Sequence, residues 1–437
     1  MAGAGSWLWV LVPLILIAGI GSILWPRAGL LLLVPLIFLR IELPGTVGYY
    51  PADAFAFVII AGAIVRLLTT GGQSLRRNPL LVPIAVALAF FALSVLQVYA
   101  LDKGVLRWIR QFQMFGLILA IPVFCDRRDI ARVLRVVLLT SFAFVVPNII
   151  EFVRIGGSER VFGIAYAFFP FFLVMGIFQS LAGFLMAPSA AGRLGWLVMG
   201  GVLSLGVIAS QTREAMLQIA LGSIVMGLLI WVWAGRNHRQ DLRRRLVWVS
   251  AVGILLALAF VFVKSGPFAA SAHRVDEAIA GSSGTINLRF FLWRMGLRAF
   301  LDSPLLGIGF GQINVWHDIL PFWRFEPLTA FSRTIGVHNE LITYAVETGL
   351  VGVGLMFWFL YKMVRLGYPW WKNATSADEL RQLLVLWIPC ISLAARFCFG
   401  TQIFYSLGGV MNCLYIGLLV SHCRSKPTSG PIHDTTN

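Results

Sequence analysis

Apolar runs about 20 residues long recur through this chain, and that is the length that an α-helix needs to cross a hydrocarbon core. Of 437 residues, 59% are hydrophobic and 12% are charged, and the mean hydropathy is +0.84. A soluble domain carries about twice that charged fraction. The sequence therefore predicts an all-α, polytopic membrane helix bundle.

Thirteen apolar runs can be marked, at 7–25, 28–41, 51–69, 79–99, 104–124, 130–152, 162–186, 194–209, 212–234, 245–263, 340–363, 382–398 and 401–421. The second run is short and contains Pro35. We expect one of the first two not to span, which gives about 12 transmembrane helices (12–13). Thirteen spans would put the N-terminus outside and twelve would put it inside, so that side stays open.

Basic loops set the orientation, because cytoplasmic loops are enriched in Lys and Arg. The strongest basic cluster is Arg236–Arg245, and we place it in the cytoplasm. Basic residues at Arg76–Arg77, Arg127–Arg135, Lys362–Arg381 and in the tail agree at alternating crossings. The predicted divisions are N-terminal transmembrane helices (1–263), a periplasmic loop with amphipathic helices (264–337), C-terminal transmembrane helices (338–421) and a cytoplasmic tail (422–437).

The net charge of +16 has the same explanation, and basic loops also favour anionic membrane lipids. No basic cluster interleaved with aromatics lies in a soluble module, so we expect no nucleic-acid partner. The five cysteines form no metal-type CxxC pair, and no HExxH or acidic cluster is present. We therefore predict no metal site and no cofactor.

The segment His338–Gly354 starts where the long polar loop returns to an apolar run. Asn339 can cap the coming helix, and Gly349 and Gly352 then lie on one side, where backbones can approach closely. His338 is either a polar residue that ends the loop or a general base. Its titration near neutral pH makes it the best general-base candidate among the six histidines.

The loop itself contains a predicted amphipathic helix, Ile286–Ser303, ended by Pro304. Arg294, Arg298 and Asp302 form a solvated row on it, whereas Arg289 points to the apolar side near Trp293. An arginine in that position needs an anionic partner. The partner is either a carboxylate of the loop or a phosphate, which the guanidinium would bind as a fork.

Arg213 lies at the outer end of the run that begins at residue 212, where Ser210 or Thr212 could cap the helix. Its side chain either snorkels or pairs with Glu214, or it binds an anion with help from the helix dipole. The glycines of 307–311 lack the surrounding motif of a nucleotide site, so we expect a tight returning loop there. Two arginines and a histidine on one face suggest release of a phosphate or pyrophosphate with proton transfer.

These pieces resemble the bacterial O-antigen ligase family, which includes O-antigen polymerases and O-linked oligosaccharyltransferases. The resemblance rests on His338–Asn339 followed by Gly349 and Gly352, on the stretch Arg289–Gly311 with its Ser-Pro-Leu-Leu-Gly-Ile-Gly-Phe-Gly sequence, and on Arg213 at its helix mouth. Together these motifs cover about a third of the chain. The family has twelve spans, which leaves the thirteenth apolar run as the departure.

The resemblance implies a metal-independent, inverting glycosyltransferase of the bacterial inner membrane. It would transfer a glycan from undecaprenyl pyrophosphate to lipid A–core oligosaccharide at the periplasmic face, which completes lipopolysaccharide. Arg213 and Arg289 would hold the pyrophosphate, and His338 would activate the acceptor sugar hydroxyl or orient it. Asn339 and Trp293 are predicted as further substrate-binding residues.

Two alternatives stay open. An O-antigen polymerase or an O-linked protein oligosaccharyltransferase would use the same donor with another acceptor. A transporter of a lipid-linked anion would need ionisable residues near mid-membrane in matching halves, and the candidates do not form such halves; they are Arg110, Glu151, Glu347 and Arg396.

Overall fold

A computed structural model describes residues 21, 25–38, 51–96, 98–155, 169–262, 284–313, 337–398, 400 and 407–424. Within these ranges the side chains of residues 51, 169, 213, 252–262, 284–287, 407 and 408 are not described. The described ranges contain helices and turns and no β-strand. The prediction of an all-α polytopic membrane protein is confirmed, whereas of the first apolar run, 7–25, only residues 21 and 25 are among those described.

Fourteen helices lie in the described part of the chain. They are α1 (Pro26–Ile37), α2 (Pro51–Thr70), α3 (Gln73–Arg76), α4 (Leu81–Val95), α5 (Leu101–Phe124), α6 (Arg127–Arg154), α7 (Phe169–Met186), α8 (Ala190–Ser210), α9 (Arg213–Arg236), α10 (Gln240–Phe262), α11 (Gly284–Asp302), α12 (Glu340–Asn373), α13 (Ala377–Phe397) and α14 (Leu407–Arg424).

Among the described residues, six helices are long and apolar enough to cross a membrane, namely α2, α6, α8, α9, α12 and α13. Helices α1, α4 and α7 are apolar but shorter. The described residues therefore do not settle the predicted number of about 12 spans. Helices α5, α7, α12, α13 and α14 supply much of the apolar core, and α13 is buried along most of its length.

One predicted loop is wrong in its extent. The segment Lys362–Arg381 was expected to connect two spans, but α12 continues to Asn373 and α13 begins at Ala377. The connector is only residues 374–376, because the hydroxyl of Ser376 accepts a hydrogen bond from the backbone N–H of Glu379 and caps α13 at once.

The amphipathic helix expected at Ile286–Ser303 is present as α11. Leu292, Met295 and Ala299 bury their side chains against the start of α12, whereas the predicted row of Arg294, Arg298 and Asp302 is exposed. This packing against α12 holds α11 beside the segment that contains His338.

Helix α12 is broken at Gly349, which has φ +61° and ψ −163°. The turn 303–311 docks into the break: Ile308 N–H donates to the Val346 carbonyl at 2.9 Å, and Leu350 N–H donates to the Pro304 carbonyl at 2.8 Å. The turn thus satisfies backbone groups that the break would otherwise leave without partners.

The glycines explain how the turn fits. Gly307, Gly309 and Gly311 all have positive φ, so the predicted tight returning loop is confirmed. The close approach expected at Gly349 also occurs, but against this turn rather than against another helix, since a Cβ there would meet the Leu305 carbonyl. Gly352 instead makes room for the Thr348 side chain of its own helix.

Candidate active site

The site begins where α12 begins. Asn339 is the N-cap of α12, as predicted, and its side-chain oxygen accepts a hydrogen bond from Ile342 N–H at 3.1 Å. Its side-chain nitrogen donates to the Cys398 carbonyl at 2.9 Å. Both polar atoms of Asn339, a predicted substrate-binding residue, are therefore engaged by backbone. In this conformation the side chain ties the mouth of α12 to the end of α13.

His338 has a left-handed backbone conformation, with φ +52°. A residue other than glycine in that region is strained by about 1–3 kcal/mol, and such residues persist where the surroundings hold them. Here the Asn339 side chain and the hydrogen bond from Glu340 N–H to the Gly400 carbonyl, at 2.7 Å, hold both following residues. The backbone that carries the imidazole is therefore held by contacts of the two residues that follow it.

A carboxylate from a distant helix joins two arginines next to this histidine. The Glu214 carboxylate, in the first turn of α9, lies 2.9 Å from the Arg289 guanidinium of α11. Its other oxygen lies 3.9 Å from the guanidinium of Arg396, near the end of α13. The predicted partner of Arg289 is thus a carboxylate, but one from a membrane helix and not from the loop.

The two arginines differ in access. Arg396 is buried, and its guanidinium lies 3.6 Å from the centre of the Phe171 ring. The Arg289 side chain is 33% exposed, so part of it remains accessible to a ligand. Arg396 therefore fixes Glu214, and Glu214 in turn orients Arg289.

The charges of this cluster act on His338. Its burial lowers the pKa of the imidazole below the ordinary 6.5, and the positive charge of Arg289 lowers the pKa further. The carboxylate of Glu214 opposes this by raising the pKa, with a smaller effect. Because the net shift is downward, His338 is neutral at neutral pH and can accept a proton.

Arg213 is the first residue of α9, directly before Glu214, but its side chain lies outside the described residues. The expected cap by Ser210 or Thr212 is wrong. Thr212 makes no capping hydrogen bond, and the Ser210 hydroxyl donates to the Val207 carbonyl at 2.6 Å. The first turn of α9, which contains Glu214, is therefore not capped by the side chain of its N-cap residue, Thr212.

Trp293 lies one turn after Arg289 on α11 and is half-buried. Its ring meets Phe290 edge-on at 5.5 Å between centroids. Within the described ranges, its buried indole N–H has no hydrogen-bond partner. Such a group usually finds an acceptor, so substrate contact by Trp293 stays a prediction.

A second polar layer lies below the site, between α5 and α12. The Arg107 guanidinium lies 3.9 Å from carboxylate oxygens of both Glu340 and Glu347. Beside it the Tyr344 hydroxyl donates to the Gln111 side chain at 2.9 Å. These groups are almost wholly buried, so the layer fixes the first half of α12 and with it His338.

Sequence reasoning missed Glu214, Arg396 and Arg107 as parts of the site. The signal was available, because ionisable residues within apolar runs are costly and are retained where they pair or act. What the sequence could not supply was the pairing across more than 70 positions. As for a metal, no group of three potential ligand side chains occurs among the described residues.

Residues 198–357 match the family described as O-Antigen ligase, a region that includes Glu214, Arg289 and His338. The chain is also 26% identical over 223 residues to the exopolysaccharide production protein ExoQ of Rhizobium meliloti (strain 1021). That match covers 49% of this chain and 47% of ExoQ, so the chain spans about half the length of this relative.

The resemblance stated from the sequence is therefore confirmed over the matched residues. The two findings support a polysaccharide-related ligase or polymerase in a multi-pass membrane protein.

Proposed function

We propose that this chain, whose residues 198–357 match the O-antigen ligase family, transfers a glycan from undecaprenyl pyrophosphate to a sugar hydroxyl of lipid A–core oligosaccharide. The observation that carries the proposal is the cluster at the mouth of α12. Arg289, Glu214 and Arg396 come from three helices and form one ion-pair chain, and the charges of its first two members act on His338.

The leaving group requires stabilisation of negative charge. Arg289 is a permanent, partly exposed cation held by Glu214, which Arg396 contacts in turn. Arg213 begins the adjacent helix, whose first turn has no side-chain cap from Thr212 and whose dipole favours an anion. We propose that Arg289 and Arg213 bind the pyrophosphate and take up the charge that develops as it leaves.

His338 accepts the proton of the acceptor hydroxyl in this proposal. The acceptor oxygen forms a bond to the anomeric carbon while the bond from that carbon to the pyrophosphate oxygen breaks. The hydroxyl proton goes to the neutral imidazole of His338, and the electron pair leaves with the lipid pyrophosphate. Direct displacement inverts the anomeric centre, and no metal takes part in these steps.

We propose the bacterial inner membrane as the location, with the cluster on the periplasmic side. Four predicted cytoplasmic segments meet at the other end of the bundle. The Arg236 guanidinium lies 4.3 Å over the Trp371 ring, the Arg127 guanidinium lies 6.0 Å over the Trp370 ring, and Arg77 lines a cavity with Lys362. The positive-inside rule puts that basic end in the cytoplasm.

A second candidate keeps the donor and changes the acceptor. The relative named as an exopolysaccharide production protein favours a growing polysaccharide as the acceptor. The chain would then be a polymerase. A protein acceptor, as in an O-linked oligosaccharyltransferase, is a third variant of the same reaction.

Alanine variants in cells test the assigned roles. His338→Ala, Arg289→Ala and Arg213→Ala should abolish full-length O-antigen ladders on stained lipopolysaccharide. Arg294→Ala removes an exposed arginine from the same helix as Arg289 and should leave the ladder unchanged. A normal ladder in the first three variants would refute the assigned chemistry.

A knockout separates the acceptors. Uncapped core with accumulating lipid-linked polymer indicates a ligase, and core capped with single repeats indicates a polymerase. Loss of a glycoprotein with intact lipopolysaccharide indicates an oligosaccharyltransferase. Transport of a lipid-linked anion, the remaining alternative, is excluded if the purified protein transfers glycan in detergent.

A further inference from the structure

Two adjoining cavities lie at the end of the bundle far from His338. One has a volume of about 370 Å³ and the other about 340 Å³, and both are lined by Arg77 and Arg424. Arg365, which lines the larger cavity, lies 16 residues after the break at Gly349, roughly 24 Å along the continuous second part of α12. We call the two cavities together the basic cleft.

The described charged side chains that line the basic cleft are all positive. Its described lining includes five cations and no carboxylate; the cations are Arg66, Arg77, Lys362, Arg365 and Arg424. They come from α2, the turn after α3, α12 and α14, so the fold and not local sequence brings them together. Cations gathered in this way repel one another unless an anion joins them.

Two details indicate that an anion belongs there. Partial burial, and to a smaller extent the charge of Arg77, lower the pKa of the Arg424 guanidinium, which a hydrogen bond to the Pro122 carbonyl at 3.1 Å holds in place. The buried hydroxyl of Ser74, which also lines the cleft, has no hydrogen-bond partner among the described residues. A phosphate group would supply the missing negative charge and could accept that hydroxyl proton.

The rest of the cleft fits a lipid rather than a free ion. Its wall includes the apolar side chains of Leu366 and Val420. On the neighbouring surface of α12, Tyr361 and Tyr368 are 55% and 52% exposed, and the Arg365 guanidinium donates to the Tyr361 hydroxyl at 2.7 Å. Exposed tyrosines beside arginines are typical of the depth of lipid headgroups.

We propose that the basic cleft binds the phosphate headgroup of an anionic membrane lipid, with the acyl chains against the exposed apolar surface of the bundle. This site is separate from the cluster at His338 and does not rest on the proposed transfer reaction. Its occupation would hold α2, α12 and α14 together at this end, because each supplies a cation to one phosphate.

The test measures lipid binding to the purified full chain in a non-ionic detergent, by native mass spectrometry, with phosphatidylglycerol as the probe. Each cation near a lipid phosphate contributes about fivefold in affinity. The double variant Arg77→Gln/Arg424→Gln should therefore bind phosphatidylglycerol roughly 30-fold more weakly. The matched control Arg239→Gln/Arg244→Gln removes two exposed arginines from the basic segment around α10 and should bind as the unmodified chain does.

Two further measurements keep the test decisive. Lys362 is exposed, so Lys362→Gln should fold normally and still lose about fivefold in affinity. Phosphatidylcholine, which has no net charge, should bind weakly and equally to all variants. Equal losses in both double variants would overturn the proposal in favour of diffuse surface charge. Protection against thermal unfolding by inorganic phosphate as strong as that by phosphatidylglycerol would replace the lipid with a free anion and also overturn it.

Discussion

The break in α12 gives the sharpest structural prediction, because one substitution removes the reason for it. Gly349 has φ +61° and ψ −163°, a conformation that is essentially confined to glycine. A Cβ at this position would lie 2.2 Å from the Leu305 carbonyl oxygen and 2.6 Å from Leu306 N. These are backbone atoms that no rotamer change can move. Gly349→Ala must therefore displace the docked turn or straighten the helix.

The cost can be worked from the contacts. The backbone conformation alone contributes about 1–3 kcal/mol for a residue with a side chain. Displacing the turn opens the hydrogen bonds that Ile308 and Gly309 donate to α12, and those that Leu350 and Val351 donate to the turn. At about 1 kcal/mol each, even partial loss brings the total to roughly 3–6 kcal/mol.

The assay is thermal unfolding of the purified protein in detergent, with Gly354→Ala as the matched control. Gly354 lies on the same helix and a Cβ there would meet nothing within 4 Å, so its replacement should be neutral or slightly stabilising. Gly349→Ala should lower the midpoint of unfolding by about 5–10 °C. Equal midpoints for the two variants would refute the claim that the break holds the turn.

Three further predictions concern the charged groups. Transfer should fall as the pH drops through the lowered pKa of His338, with a midpoint below 6.5. Arg289→Gln removes a positive charge that lowers the pKa of His338, so it should move the midpoint of the residual pH–rate profile upward. Glu214→Gln removes a negative charge that raises this pKa, so it should move the midpoint downward. Identical midpoints in the two variants would contradict the coupling. Glu214→Gln should also release Arg289 and cut transfer by the folded protein at least about tenfold, as measured by KM and kcat; an unchanged rate would contradict this orienting role. Arg107→Met should leave two buried carboxylates without their arginine and cost about 3–5 kcal/mol, measured by thermal unfolding against Arg294→Met; an unchanged midpoint would contradict this.

The helical architecture was predictable because apolar runs of membrane length have one main structural solution. Asn339 predicted the start of α12 because asparagine is a common N-cap residue. The helical periodicity of α11 placed Arg289 on a different face from the solvated row of Arg294, Arg298 and Asp302. These are local patterns, and the structure confirms each of them. The end of α12 was missed because the basic residues of 362–373, together with Gly367 and Pro369, are typical of a cytoplasmic loop, although the segment remains helical.

The partners of the site residues were not predictable in the same way. Glu214 appeared from sequence only as a neighbour of Arg213, yet it contacts Arg289 and Arg396, which are 75 and 182 positions away. Gly349 was expected to allow close packing, but its spacing of three residues from Gly352 cannot show that a turn inserts into the helix at Gly349. Contacts of this kind depend on tertiary packing, which one sequence does not encode in any short pattern.

Transfer by the purified protein, with a polyprenyl-pyrophosphate glycan as donor and lipid A–core as acceptor, tests whether the cluster at the mouth of α12 performs the reaction. The rate of product formation is measured for His338→Ala and for Arg289→Ala, with Arg294→Ala as control. Loss of a general base should lower the rate about 100- to 10,000-fold, and loss of a charge-stabilising group about 100- to 1,000-fold, with the control unchanged. Rates in the first two variants equal to that of Arg294→Ala would contradict the assignment of the reaction to this cluster.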